Sequence, residues 1–188
     1  MYGTVETEGY ESYASDLASG ARTLSLDSFQ VGYDLVGDIS NFGIATVPNP
    51  FGGSGVSATA GTHYLYAVFP TEAASAANVT FQFASPVHAF GTDIRDLENI
   101  SLSYGTSTGE SGTAATPAAS GTIRFFGIVS DNPFTSITIT GPGLTTGDGV
   151  VFDQTSFVVP EPRSALLLLT GSLAALILRW RRHPAGRA

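Results

Sequence analysis

The chain has 188 residues, 16 of them acidic and eight basic, for a formal net charge of −8. It contains no cysteine, which excludes disulfide bonds and thiol chemistry. Residues 1–158 carry 15 acidic and three basic side chains, a formal −12, whereas residues 159–188 carry five arginines and one glutamate, a formal +4. Because the acidic part repels phosphate backbones, we expect no nucleic-acid partner; divalent cations and neutral polysaccharide are compatible with it.

Residues 1–19 are predicted to be a separate N-terminal segment. The chain begins Met-Tyr-Gly-Thr-Val-Glu-Thr-Glu and has neither the basic nor the apolar region of a secretory signal peptide. If the large domain crosses a membrane, it needs such a peptide, and we then expect a truncated start with a signal peptide encoded upstream. The alternative is insertion through the C-terminal segment alone, which would leave the large domain in the cytoplasm.

Residues 20–158 are predicted to form one β-rich domain. In residues 78–83 a valine and two phenylalanines occupy every second position, the pattern of a half-buried strand. Glycine and proline breakers separate the apolar runs. The predicted strands are residues 26–32, 63–69, 79–83, 89–94, 100–104, 121–129, 136–140 and 150–158. Residues 105–120, rich in Gly, Ser, Thr and Ala, are predicted to be a flexible loop. The pattern favours an all-β antiparallel sandwich with one wet face on each sheet.

Four carboxylates are the candidate metal ligands. Asp93 and Asp96 lie at the end of one predicted strand, and Asp148 and Asp153 lie near the last. Loop carboxylates and carbonyl oxygens are ligands that Ca²⁺ prefers, so a structural Ca²⁺ is one interpretation, and a solvated acidic rim without any cofactor is the other. The same residues include Asp93 and Asp153 as candidates for the carboxylate pair of a glycan-active enzyme. No pair of histidines has the spacing of a zinc motif.

Tyrosines are the candidate sugar-binding platforms in this domain, because aromatic rings stack on apolar surfaces and keep a polar end for hydrogen bonding. The alternative is that they belong to the core, as most aromatic residues in strands do. The candidates are Tyr10, Tyr13, Tyr33, Tyr64, Tyr66 and Tyr104.

The last 30 residues combine a short motif, an apolar segment and a basic tail. Val-Pro-Glu-Pro occupies residues 159–162, residues 164–178 carry no charge, and the basic tail covers residues 179–188. A helix of that length spans about 22 Å, short of the hydrocarbon core of about 30 Å. Snorkelling arginines and an interfacial tryptophan close the gap, and the arginine excess places the C-terminus in the cytoplasm. These flanking residues are Arg163, Arg179, Trp180, Arg181 and Arg182. The alternative is a buried helix of a soluble domain.

The order of motif, apolar segment and arginine cluster resembles a PEP-CTERM sorting signal. The resemblance implies a Gram-negative bacterium with an exopolysaccharide matrix and a membrane-embedded exosortase that recognises Pro160, Glu161 and Pro162. It also implies a single transmembrane helix over residues 164–178 that holds the protein in the inner membrane at least transiently.

The domain also resembles the ectodomains of many proteins with such a signal. The similar stretches are residues 83–94, 125–137 and 147–153, although Gln154 departs from the usual Asp-Asn ending. This resemblance implies a jelly-roll-like β-sandwich and carries no agreed activity.

The sequence therefore predicts a non-enzymatic protein of the cell envelope, surface or extracellular matrix, with exopolysaccharide among its candidate partners. A glycan-active extracellular enzyme and a plain tail-anchored membrane protein are the alternatives.

Overall fold

A computed structural model describes residues 3–35, 41–47, 58–69, 76–142 and 148–159. These residues form eleven antiparallel strands and no helix. Consequently, within these ranges there is no helix long and apolar enough to cross a membrane. The predicted transmembrane segment, the Pro-Glu-Pro motif and the basic tail lie outside the described residues.

The strands cover most of the described chain, and two of them are unusually long. Their bounds are β1 Thr4–Glu8, β2 Asp16–Ser19, β3 Arg22–Ser25, β4 Phe29–Tyr33, β5 Asn41–Thr46, β6 His63–Phe69, β7 Ala77–Arg95, β8 Leu102–Thr106, β9 Ser111–Ala115, β10 Ile123–Gly141 and β11 Asp148–Val159. The strand order is β2-β5-β6-β11-β7-β10-β8-β9, with β1 beside β11 and the β3–β4 hairpin beside β7.

The long strands β7 and β10 fold this sheet into two layers. They pair with each other on both sides of an interruption at Val129 and Phe134, where the register shifts. The first part of β7 pairs with β4, and its last part pairs with β11. The first layer therefore contains β1, β2, β5, β6, β11 and residues 87–95 of β7 with residues 123–129 of β10. The second layer contains β3, β4, β8, β9 and the remaining parts of β7 and β10.

Aromatic side chains fill the space between the layers. Phe81 of the second layer lies 5.9 Å from Phe152 of the first, measured between ring centroids. Phe29 meets Phe157 edge to face at 5.5 Å, and Tyr33 stacks on Phe42 at 5.1 Å. Burying each such ring contributes about 1.5–3 kcal/mol, and the ring pairs add about 0.5–1.5 kcal/mol. The predicted all-β antiparallel sandwich is confirmed.

Two predictions about chain organisation are corrected. The segment 1–19 is not separate from the sandwich, because β1 pairs with β11 from Thr4↔Val159 to Glu8↔Thr155, and β2 pairs with β5. Both strands lie at sheet margins, where exposed polar side chains hide the apolar alternation that identifies a strand. Residues 105–120 are not a flexible loop, because β8 and β9 form a hairpin across them. The turn is closed by a hydrogen bond from Thr106 N to Glu110 O (2.8 Å).

Candidate functional site

The first layer has an outer face, turned away from the core, that divides into two halves. On β5, β6 and β11 the outer residues Ala45, Tyr64, Tyr66 and Val151 form a second buried cluster, against which Ala58 packs. We call these four residues and the overlying residues 58–62 the covered half. On β1 and β10 the outer side chains of Val5, Phe125 and Val129 are exposed, and on β7 and the end of β11 those of Ala89 and Val158 are half-buried. We call this part the open half; its residues are Val5, Ala89, Gly91, Phe125, Gly127, Val129 and Val158.

Asp153 fixes the segment that closes the covered half. Its Oδ2 accepts hydrogen bonds from the backbone N–H groups of Thr59 (2.7 Å) and Ala60 (3.0 Å), and its Oδ1 accepts from Gln154 N (2.7 Å). Arg95 Nη1 donates to the carbonyl of Ala58 at 3.2 Å. The carboxylate is fully buried, so these donors replace water as its partners.

Glu11 holds the other end of the same segment. Its Oε1 accepts from the backbone N–H groups of Thr62 (2.6 Å) and His63 (2.7 Å). Its Oε2 lies 3.1 Å from Thr62 Oγ1 and 3.2 Å from His63 Nδ1. The backbone N–H of His63, followed by that of Thr62, lowers the pKa of Glu11 to about 2, because these donors stabilise the ionised carboxylate.

The structure brings the four candidate metal ligands together as two pairs. Asp93 and Asp153 face each other across β7 and β11, and Thr59 Oγ1 lies 2.9 Å from Asp93 Oδ2 and 3.0 Å from Asp153 Oδ2. A hydroxyl has one hydrogen, so only one of these carboxylates receives a full hydrogen bond from it at a time. Because Asp153 is buried beneath residues 59 and 60, this pair does not open onto a cleft as a glycosidase pair must.

The second pair lies at the other end of β11. Asp148 Oδ2 accepts from the backbone N–H groups of Glu98 (2.9 Å) and Asn99 (2.8 Å). Burial, followed by the hydrogen bond and charge of Glu98, raises the pKa of Asp96 to about 6. Burial also raises the pKa of Asp148, against the two backbone donors. Within the described ranges no group of three or more acidic or histidine side chains is placed to hold a metal. A structural Ca²⁺ stays a prediction.

The candidate tyrosine platforms belong mostly to the interior. Four of them are buried: Tyr10, Tyr33, Tyr64 and Tyr66. Burial is the main cause that raises the pKa of the hydroxyls of Tyr10, Tyr33 and Tyr64. The large exposed aromatic side chain among the described residues is instead Phe125, 71% exposed. The sequence indicates that one such ring is exposed, because Phe125 and Phe126 are adjacent in a strand and only one of them can face the core. Phe126 faces the core, and Phe125 lies on the open half.

The ring of Phe125 lies over a pair of glycines. Gly91 and Gly127 are partners in the register between β7 and β10. A Cβ built on Gly91 would lie 2.6 Å from Phe125 Cζ, and one built on Gly127 would lie 2.6 Å from Phe125 Cε1. Both distances are far below van der Waals contact. The ring therefore lies directly on the backbone of the two glycines, and a side chain at either position would push the ring away. Glycine at both positions lets the ring lie against the sheet.

Four further apolar residues continue the open half across the strands. Val5 pairs with Val158 on β1 and β11, and Ala89 pairs with Val129 on β7 and β10. Val5 is 64% exposed and Val129 is 73% exposed. Together with Phe125 they line a shallow concavity of about 340 Å³ that contains no charged side chain. At its margin the hydroxyls of Thr7 and Ser156 are 2.9 Å apart.

No protein-family model and no curated protein matches this chain. Among solved structures it is similar to the K2 cleaved adhesin domain of Lys-gingipain, with a TM-score of 0.50 and 8% identity over 83% of this chain and 100% of that one. At such low identity the similarity concerns the fold alone.

Carbohydrate-binding modules are also among the similar structures. The family 11 module of the cellulosomal cellulase Lic26A-Cel5E of Clostridium thermocellum has a TM-score of 0.43 and 8% identity over 75% of this chain and 95% of that one. A family 29 module has a TM-score of 0.43 and 11% identity over 77% of this chain and 91% of that one. These values are too low to transfer a ligand or a binding site.

Proposed function

We propose that this protein is exported to the cell envelope or extracellular matrix, is sorted through its C-terminal signal, and works there without catalysis. The observation that carries the proposal is the order of elements at the end of the chain. The sandwich closes with β11 at Val159, and the Pro-Glu-Pro motif begins at the next residue, before the apolar segment and the arginines. A sorting enzyme at the membrane would thus meet the motif between a folded domain and a membrane anchor.

The residue chemistry of the motif supports its recognition by such an enzyme. Pro160 and Pro162 fix their own φ angles and disfavour helix in the residues before them, so the motif stays extended. Glu161 adds one charge between them. On this proposal a membrane-embedded exosortase binds these three residues.

The charge distribution supports the proposed orientation. Residues 1–158 carry −12, and the tail carries +4, with arginines at positions 179, 181 and 182 directly after the apolar segment. Basic residues that follow a membrane span stay in the cytoplasm, which puts the sandwich on the outer side. Arg163 and Trp180 then flank the span at its two interfaces.

The contacts of the candidate carboxylates favour a binding or structural role over an enzymatic one. Asp153 and Asp148 each accept backbone hydrogen bonds that hold neighbouring segments in place. The concavity of the open half is mostly apolar, and no charged side chain lines it that could carry out acid–base chemistry. This surface supports association with a partner such as polysaccharide.

Replacing Pro160, Glu161 and Pro162 together with alanine tests the sorting proposal. In the native host we expect the variant to keep the mass of the unprocessed chain and to accumulate in the inner membrane. The matched control replaces Pro48, Asn49 and Pro50, the same Pro-x-Pro pattern outside the tail, and should be sorted normally. If the tail variant has the mass and location of the wild type, the proposal is wrong and the protein is a plain tail-anchored membrane protein.

A further inference from the structure

We propose that the open half is a binding site for a neutral polysaccharide, whose apolar pyranose faces stack on the ring of Phe125. The inference rests on the proposed export, because it is there that the domain would meet such polymers. It adds a site, its residues and the chemical class of the partner.

The Gly91–Gly127 pair makes Phe125 a pre-formed platform. The ring lies against the backbone of two strands, so it is held in place before any ligand binds. A side chain that is already ordered loses less conformational entropy on binding than a free one. The opposite face of the ring points to solvent, since the residue is 71% exposed. An immobile flat apolar surface of this kind suits the flat C–H face of a sugar ring.

The remaining apolar residues make the site long enough for a stretch of polysaccharide rather than for a single sugar. Val5, Val158, Ala89 and Val129 lie on four neighbouring strands. Strands are spaced about 4.8 Å apart, so the row measures about 14 Å from β1 to β10. The hydroxyls of Thr7 and Ser156 at its margin can donate to and accept from sugar hydroxyls.

Charge favours a neutral polysaccharide over acidic polymers, anionic lipid surfaces and a second copy of the chain. No charged side chain lines the concavity, so an acidic polymer would find no cation there. The surrounding domain, at −12, repels acidic polysaccharides and anionic lipid surfaces alike. A second copy of the chain would bring another −12 to the same interface. A neutral polymer carries no such electrostatic cost.

Affinity electrophoresis of the full chain in lipid nanodiscs tests the site, with soluble xylan, galactan, mannan and mixed-linkage β-glucan as neutral probes. Polygalacturonate is the acidic probe. We expect at least one neutral polymer, and not the acidic one, to retard the wild type. Phe125→Ala should weaken binding about tenfold or more, because a central aromatic anchor contributes more than about 1.4 kcal/mol. Phe125→Trp should retain binding.

Two further variants separate the platform from a general loss of structure. Gly127→Ala keeps the ring but places a Cβ 2.6 Å from it, so we expect weaker binding with unchanged circular dichroism. Val47→Ala removes another exposed apolar side chain, outside the open half, and should bind as the wild type does.

Several results would overturn the inference. One is no retardation by any neutral probe, and another is equal binding by Phe125→Ala and the wild type. A dimer in the absence of polysaccharide that Phe125→Ala abolishes would assign the surface to a second copy. Quenching by brominated lipid of a variant whose sole tryptophan is at position 125, Phe125→Trp combined with Trp180→Phe, would assign the surface to the membrane. Processing of the tail is measured separately from polysaccharide binding. If the sorting test fails and polysaccharide binding is intact, the sorting proposal alone is wrong. If sorting is normal and no polysaccharide binds, the proposed binding site alone is wrong.

Discussion

The covered and open halves of the first layer share one sheet face but differ in what lies over them. In the covered half Tyr64, Tyr66 and Val151 are buried, and Ala58 of the segment 58–62 packs against them. In the open half Val5, Phe125 and Val129 are exposed. Both halves present apolar side chains, so composition does not distinguish them. What differs is the presence of carboxylates that tie down an overlying segment, Asp153 and Glu11. In this sheet the apolar face is thus part of the core where polar anchors hold a segment over it, and it is exposed in the open half, where we propose that a partner binds.

Removing the anchor of the covered half should have the largest effect. In Asp153→Ala the backbone N–H groups of Thr59, Ala60 and Gln154 lose their acceptor. Thr59 and Gln154 are half-buried, whereas Ala60 is exposed and its N–H can bind water instead. Because a donor left without a partner costs about 1–3 kcal/mol, we expect a loss of about 3 kcal/mol in the free energy of unfolding. Urea denaturation followed by circular dichroism measures it. Asp131→Ala removes an exposed carboxylate and should change stability by less than about 0.5 kcal/mol; equal effects of the two would contradict the anchoring role.

A matched pair of valines tests the comparison directly. Val151 is fully buried in the covered half, and Val129 is 73% exposed in the open half. Because a buried valine contributes about 1.5–3 kcal/mol, Val151→Ala should lower the free energy of unfolding by about 2 kcal/mol. Val129→Ala should leave it nearly unchanged and should instead weaken polysaccharide binding. Similar unfolding midpoints for the two variants would show that both halves are equally exposed.

Acid should loosen the covered half through Glu11. Its pKa in the folded protein is about 2, below the usual 4.5, so between these values the folded protein binds fewer protons than the unfolded chain. The stabilisation is therefore complete above about pH 4.5 and is lost as the pH falls toward 2. We expect Glu11→Gln to be less stable than the wild type at pH 6 and equally stable near pH 2. Urea midpoints across this range measure the difference, and Asp131→Asn is the control; a constant difference between Glu11→Gln and the wild type would contradict the mechanism.

Strands with a continuous or alternating apolar pattern could be predicted from the sequence, and those that depend on tertiary context could not. Residues 63–69 match β6, and residues 150–158 lie within β11. Two pairs of predicted strands are each one long strand in the structure. The predicted strands 79–83 and 89–94 both belong to β7, and the predicted strands 121–129 and 136–140 both belong to β10, because β7 and β10 bend around a corner of the sandwich instead of ending there. The acidic β1 and the serine- and threonine-rich β9 gave no apolar pattern and were missed.

The candidate site was predictable in its parts but not in its assembly. Asp93 and Asp153 were both candidates, yet only the register of β7 and β11 makes them neighbours. Phe125 was not among the candidates, although its adjacency to Phe126 requires one of the two rings to leave the core. Its support by Gly91 and Gly127 depends on strand pairing, which local sequence does not encode.

The position of β11 sets the order in which this domain can be completed during synthesis. β11 is the last strand along the chain, yet it pairs with β6, β7 and β1. Until residues 148–159 emerge, β1 has no partner, and β6 and β7, which also pair with β5, β4 and β10, are not joined to each other. Pairing across such long sequence separations is slow, so we expect the complete sandwich to form only after the last strand is available. The final strand thus completes the sandwich, and the residues proposed to anchor the protein follow it immediately.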